Sequence, residues 1–246
     1  MSLVEILWPP FALALLLVFI HAIFGLEIIK RGVIFTDLAI GQSAAVGMAV
    51  SITLLNGAAQ TELTFIFALA AALLISFASR RVRHIEAFIG LLYALGISSI
   101  MLILSQSGEG LELFNRLNAS DILFTSPSDV LRVSLLYLAL AALMLGLYPR
   151  LSGALKETLF FTALAVTVTS SVQYAGVLVV FALLIAPAYA AMTQTYFKPP
   201  VFAWLFGAVS VLFALTLSYT LDLPTGYTIV ATTALFSLLT TLFTKR

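Results

Sequence analysis

The chain has 246 residues, of which 62% are hydrophobic and 9% charged, with a formal net charge of +1. A soluble domain carries roughly 25% charged residues, so this composition excludes a water-soluble globule, and the balanced charge gives no reason to expect nucleic acid as a partner. The absence of cysteine removes disulfides, thiolate metal sites and thiol nucleophiles.

A helix needs about 20 apolar residues to cross a bilayer. In chain order the sequence predicts nine spans, at 9–29, 33–56, 63–79, 87–105, 131–148, 158–173, 176–196, 201–220 and 224–243. The expected fold is an all-α, polytopic membrane bundle forming a single transmembrane domain over 1–246, without linker, soluble domain or internal repeat. The N-terminus, Met-Ser-Leu-Val-Glu, is acidic where a secretory leader is basic, so the first span reads as retained.

Span one carries His21 about two-thirds of the way along and Glu27 near its end. A neutral imidazole can ligate a metal or relay a proton; it can equally be hydrogen-bonded to a neighbouring helix. Glu27 precedes Lys30 and Arg31 at helical spacing, which predicts surface ion pairs.

Span two holds Asp37, followed by no charge from Leu38 to Thr61. Its place after Arg31 predicts a carboxylate roughly two turns inside the span. Such a group costs about 2.5–3.5 kcal/mol at membrane depth on insertion scales and commonly marks an ion or proton path. Ala39, Ser43, Gly47 and Ser51 form a small-residue stripe suited to close helix packing. Gln42 is the other polar group here, but five positions from Asp37 is about 140° around a helix, so one cavity accommodates both only if it is wide or the helix is irregular.

Between spans four and five lies the longest connection, about 106–130, with Gly108, Gly110 and the turn-prone Thr125-Ser126-Pro127-Ser128-Asp129. It is either an ordinary loop or a docking segment. Residues 158–197 carry no charge and as helix extend about 60 Å, enough for two spans. Ser170-Ser171-Val172-Gln173-Tyr174-Ala175-Gly176 is the one polar place for a break, so Gln173 and Gly176 are candidate path or hinge residues, since broken helices often line substrate sites. Pro187 predicts a kink in span seven.

With the N-terminus outside and the C-terminus inside, Lys30, Arg31, Arg80, Arg81, Arg83, Arg150, Lys156, Lys198, Lys245 and Arg246 face inward and only Arg116 and Arg132 outward, a strong positive-inside pattern. The outer connections collect acids, which attract cations. No phosphate-binding Gly-Lys loop, His-Glu-x-x-His or supported Ser-His-Asp set is present, so the chain is expected to be neither an ATPase nor another enzyme. An intramembrane hydrolase has only His21 with Asp37 as a poor acid–base pair.

Two segments resemble the zinc/manganese/iron-type metal ABC transporter permeases: Arg31-Gly-Val-Ile-Phe-Thr-Asp37-Leu-Ala-Ile-Gly-Gln42-Ser-Ala-Ala-Val-Gly47, and Val172-Gln-Tyr-Ala-Gly176 running through to Pro187-Ala-Tyr-Ala-Ala191. Glu86-Ala-Phe-Ile-Gly90 and Asn118–Ser126 fit weaker patterns of the same family. The resemblance implies a homodimeric permease in a bacterial inner membrane, importing a divalent metal ion as substrate, with no cofactor of its own. Cytoplasmic ABC ATPase subunits would drive it and an extracytoplasmic metal-binding protein would supply it. Asp37 matches the family's span-two aspartate. Gln42 stands where a histidine is usual, with the interval one residue longer, and His21 is a candidate to supply the missing imidazole. Asp37, Gln42 and His21 are thus the expected metal-path residues, with Gln173, Gly176 and Pro187 at the mobile helices. The inner connection Pro149–Glu157 is shorter than the family's usual coupling stretch, which leaves Arg80–His84 and Lys198-Pro199-Pro200 as further coupling surfaces. A metal chelate as substrate, or a non-transporting assembly or sensory subunit, are the alternative readings.

Overall fold

The computed structural model describes residues 3–106, 108, 112 and 122–243, and among these every regular element is helical. In chain order they are α1 (Leu3–Arg31), α2 (Thr36–Leu55), α3 (Gln60–Ala78), α4 (Ile85–Leu104), a 3₁₀ turn (Ile122–Phe124), α5 (Pro127–Ala142), α6 (Gly153–Ala175), α7 (Val177–Thr193), α8 (Pro199–Leu221) and α9 (Thr225–Phe243). A π-helical segment, Leu143–Leu147, and a 3₁₀ turn, Tyr148–Arg150, continue α5. Eight helices are long and apolar enough to cross a membrane, and α7 is a shorter apolar helix of 17 residues. The expected all-α bundle of about nine membrane helices is the observed one.

Two compact units divide the chain. The first comprises Met1–Arg31, Asp121–Ala142 and Tyr174–Arg246. In it α1 packs on α7, α8 and α5, and α9 packs on α7 and α8. Close approach comes from missing side chains, as expected where no hydrophobic effect separates helix from lipid. A Cβ on Gly25 of α1 would strike the Leu184 carbonyl of α7, and one on Gly207 of α8 would lie 2.6 Å from Val18 Cγ1 and 3.1 Å from Pro187 Cγ. Beside these crossings Ala22, Leu26, Ala188, Ala191 and Ala203 form a buried cluster. The Ser237 hydroxyl of α9 donates to the Ala186 carbonyl of α7 at 2.8 Å.

The second unit comprises Gly32–Ser120 and Leu143–Gln173. Here α2 is the central helix, packed on α3 and α4. The predicted small-residue stripe is its contact face: Ala39, Ser43, Gly47 and Ser51 are all buried. A Cβ on Gly47 would collide with the Leu63 carbonyl of α3. On the α4 side, a Cβ on Gly96 would come within 2.8 Å of Gln42 Cβ. The hydroxyls of this face are satisfied within the backbone, Ser43 by Ala39 O and Ser51 by Ala58 O. Ser76 of α3 bonds Thr158 of α6 at 3.2 Å.

Several boundaries differ from the sequence reading. The helix of span two starts at Thr36, later than expected, because Gly32 adopts φ +66° and Thr36 turns back on Val33, its N–H and its hydroxyl both donating to Val33 O. The polar run Ser170–Tyr174 does not break the helix. The Ser170 and Ser171 hydroxyls fold back onto Val166 O and Thr167 O, which satisfies them inside a helix, so α6 runs to Ala175 and the break falls on Gly176 alone, at φ +78°. Thr125–Asp129 is not a plain turn: Asp129 Oδ2 accepts from the Ser126 N–H at 3.1 Å while the Asp129 N–H donates to Ser126 Oγ at 3.3 Å. This reciprocal capping box starts α5 at Pro127. The connection expected over Pro149–Glu157 shrinks to Leu151 and Ser152. Most of the loop expected over 106–130, including Asn118 to Asp121 of the weaker family pattern, lies outside the described residues.

Candidate translocation site

The distinctive position in the second unit is the start of α2. Gly32 reverses the chain after Arg31, Val33 O closes the turn onto Thr36, and Asp37 falls in the first helical turn. The partial positive charge of a helix N-terminus favours a carboxylate there, which explains how an acid is retained in so apolar a segment. It does not use up the group's bonding capacity. Asp37 is 2% exposed, and its Oδ1 is buried with no hydrogen-bond partner. A buried acceptor left open is costly, and a cation or a water is the chemistry that would fill it.

Phe35, at the N-cap of α2, makes no side-chain capping bond, and its N–H instead donates to Glu86 Oε1 at 3.2 Å. Glu86 sits in the first turn of α4, so two carboxylates meet one helix end from two helices. In the sequence Glu86 stands only within the weaker pattern Glu86-Ala-Phe-Ile-Gly90. Nothing in its spacing reveals that a carboxylate 51 positions away completes this turn.

Gln42 is partly buried and lies against Gly96 of α4. Asp37 and Gln42 share a regular helix, so the angular separation expected between them remains. Gln173 is exposed in the last turn of α6.

In the first unit His21 is wholly buried in α1. Its Nδ1 lies 2.7 Å from Leu17 O. A carbonyl can only accept, so Nδ1 carries the proton, and the unprotonated Nε2 of the neutral ring presents a lone pair. Nε2 is buried with no hydrogen-bond partner. The expected pairing of Glu27 is present, 3.3 Å from Lys30 Nζ and 3.9 Å from Arg31 Nε. Pro187 is buried at the α7–α8 crossing and Gly176 is buried at the α7 N-cap. Among the described residues no three His, Asp or Glu side chains gather closely enough to hold a metal ion. What the arrangement offers is two isolated, desolvated donors, one oxygen on Asp37 and one nitrogen on His21.

The sequence model of the ABC 3 transport family matches residues 4–244. Among solved structures, the chain is similar to PsaBC from Streptococcus pneumoniae in complex with Fab, at 19% identity and a TM-score of 0.72, over 96% of this chain and 91% of that one. It is also similar to a structure described as an inward-facing conformation of a metal-chelate type ABC transporter, at 18% identity and a TM-score of 0.65, over 94% of this chain and 83% of that one. At these identities the likeness is one of fold. No curated protein matches the chain in sequence.

Proposed function

This chain belongs to the ABC 3 transport family, and on that premise we propose that it is the membrane-spanning permease subunit of an importer for divalent metal ions. The observation that carries the reading is the Asp37 carboxylate, buried in a membrane-spanning helix with one oxygen unpartnered. Intramembrane ionisable groups are expensive and are kept mainly on substrate paths. Asp37 acts as an anionic station for the metal. His21, through its open Nε2 in the first unit, and Gln42, through its neutral oxygen in the second, are further candidate donors, each considered by itself; nitrogen favours zinc and oxygen favours manganese. On this reading Gln173, Gly176 and Pro187 are candidate path or hinge residues, because a broken helix and a helix proline suit a moving element.

The rest of the machine is supplied by partners. Two cytoplasmic ABC ATPase subunits drive a homodimer of this chain, and an extracytoplasmic metal-binding protein delivers the ion. The membrane in this reading is a bacterial inner membrane, and the distribution of Lys and Arg supports an inward-facing C-terminus, Arg80–His84 and Lys198. Arg80 to His84 are consecutively exposed, and so are Ser152 to Leu155 after the short Leu151–Ser152 connection.

Metal accumulation tests the reading. Metal-starved cells expressing the chain with its cognate ATPase and binding protein are compared with cells expressing Asp37→Asn, across zinc, manganese, iron and nickel. The expected result is uptake of one metal, reduced at least tenfold by Asp37→Asn at equal membrane levels. Undiminished uptake by the variant removes Asp37 from the path, and no uptake of any bare metal by the wild-type complex removes the ion-import reading. A second reading, a metal chelate as substrate, is favoured by one observation: the fold is also that of a structure described as a metal-chelate type ABC transporter.

A further inference from the structure

Glu86 belongs to α4, yet it completes the N-terminus of α2. The first turn of a helix leaves backbone N–H groups that need acceptors, and Ser, Thr, Asp or Asn at the N-cap is the usual solution. Phe35 holds that position and has no side chain able to accept. Thr36, the one hydroxyl in the turn, is spent on Val33 O at 2.7 Å. Glu86 Oε1 takes the Phe35 N–H from across the bundle. We propose that Glu86 is a positioning residue for Asp37: by capping α2 from the neighbouring helix it holds the first turn, and with it the Asp37 carboxylate, in the buried setting.

Three further observations support the assignment. Glu86 is partly exposed, but its Oε2 is itself buried with no partner, so water does not compensate that oxygen for its burial. The α2–α4 register is fixed lower down by Gly96 seated on Gln42, which makes the Glu86 contact a consequence of close packing and not of a free loop. Only Ile85 separates Glu86 from the exposed basic stretch Arg80, Arg81, Val82, Arg83 and His84. A force applied to that connection reaches the start of α2 through one side chain. The inference deepens the import reading, because it names what sets the Asp37 station, but the capping itself does not depend on what is carried.

Thiol accessibility tests it, since the chain has no cysteine of its own. Single-cysteine variants Asp37→Cys and Ala49→Cys, assembled with the cognate ATPase in membrane vesicles, are treated with a water-soluble maleimide. Each is made with Glu86, Glu86→Gln and Glu86→Ala. Ala49 is fully buried further along the same helix and reports general loosening. Glu86→Gln keeps an acceptor oxygen and Glu86→Ala removes it. The expected result is labelling at position 37 about tenfold faster with Glu86→Ala, the size of effect that loss of one charge-assisted hydrogen bond gives, with position 49 unchanged and Glu86→Gln close to the parent. No acceleration at 37, equal acceleration at 37 and 49, or identical behaviour of Gln and Ala each overturns the proposal. Because labelling needs no transport, absence of metal uptake in the same vesicles counts against the import reading alone.

Discussion

Gly47→Ala adds a single methyl group where α2 and α3 touch. The new Cβ would overlap the Leu63 carbonyl oxygen and stand 2.7 Å from Leu63 C and 3.1 Å from Phe67 Cβ. Two of those three atoms are backbone, so no side-chain rotation relieves the contact. Restoring ordinary van der Waals separation requires α3 to withdraw by about 1 Å, which strips dispersion contacts along the whole interface. Overpacking of this kind costs about 1–3 kcal/mol. Gly41 supplies the control on the same helix, since a Cβ there meets only Val168 Cγ1 at 3.9 Å, and exchanging Gly for Ala inside a helix is worth about 1 kcal/mol in the favourable direction. The measurement is thermal unfolding of the detergent-purified complex followed by fluorescence-detected size exclusion. Gly47→Ala is expected to lower the midpoint by roughly 2–12 °C, at about 2–4 °C per kcal/mol, while Gly41→Ala leaves it unchanged or raises it. Equal midpoints for the two variants would refute the claim that the α2–α3 approach is limited by the Leu63 backbone.

Gly25→Ala sets the same collision in the first unit, against the Leu184 carbonyl and against Ala188 Cβ at 3.0 Å. It too is expected to cost about 1–3 kcal/mol in the unfolding assay. Ser126→Ala removes one half of the capping box at α5 and should destabilise by about 1 kcal/mol, whereas Ser126→Thr, which keeps the hydroxyl, should stay close to wild type. His21→Ala is expected to reduce metal uptake several-fold at equal membrane levels if its open Nε2 meets the ion, and His21→Gln to restore little, because the amide contributes no imidazole nitrogen. Ser237→Ala, which deletes the bond to Ala186 O, should cost about 0.6–2 kcal/mol, the range found for interhelical hydrogen bonds in membranes.

Much of the architecture is legible in the sequence because the bilayer imposes a single length scale. Uncharged stretches of about 20 residues have few alternatives to a crossing helix, and the spacing of Ala39, Ser43, Gly47 and Ser51 alone marks the packed face of α2. The errors fall where local chemistry decides. Ser170 and Ser171 look like loop residues by composition but are satisfied by their own helix, and a glycine with positive φ marks the actual break. Thr36 binding back to Val33 moves the start of α2 and carries Asp37 from the expected depth to the first turn. For the candidate site, the residue types were visible and their surroundings were not. Asp37 and His21 are conspicuous as polar residues in apolar runs, but that each carries one atom without a partner depends on neighbours remote in sequence. The link from Glu86 to Phe35 spans 51 positions, and no periodicity encodes it.

The contrast between two connections of the second unit also gives the protein a cutting pattern. A protease needs several residues of chain that can be drawn out into its cleft, and such sites concentrate at exposed, weakly anchored connections. Arg80, Arg81 and Arg83 stand together in an exposed stretch between α3 and α4, so trypsin has three targets there. Arg150 is exposed as well, and like Arg80 it donates to the carbonyl four residues back, but only Leu151 and Ser152 separate its turn from α6. Two residues extend at most about 7 Å, too little to leave the surface. Trypsin should therefore nick the folded chain after Arg80 to Arg83 and spare Arg150. Applied to sealed vesicles of known sidedness, the same digestion reads which way the chain is threaded, since the cut appears only when the protease is on the side that Arg80 faces.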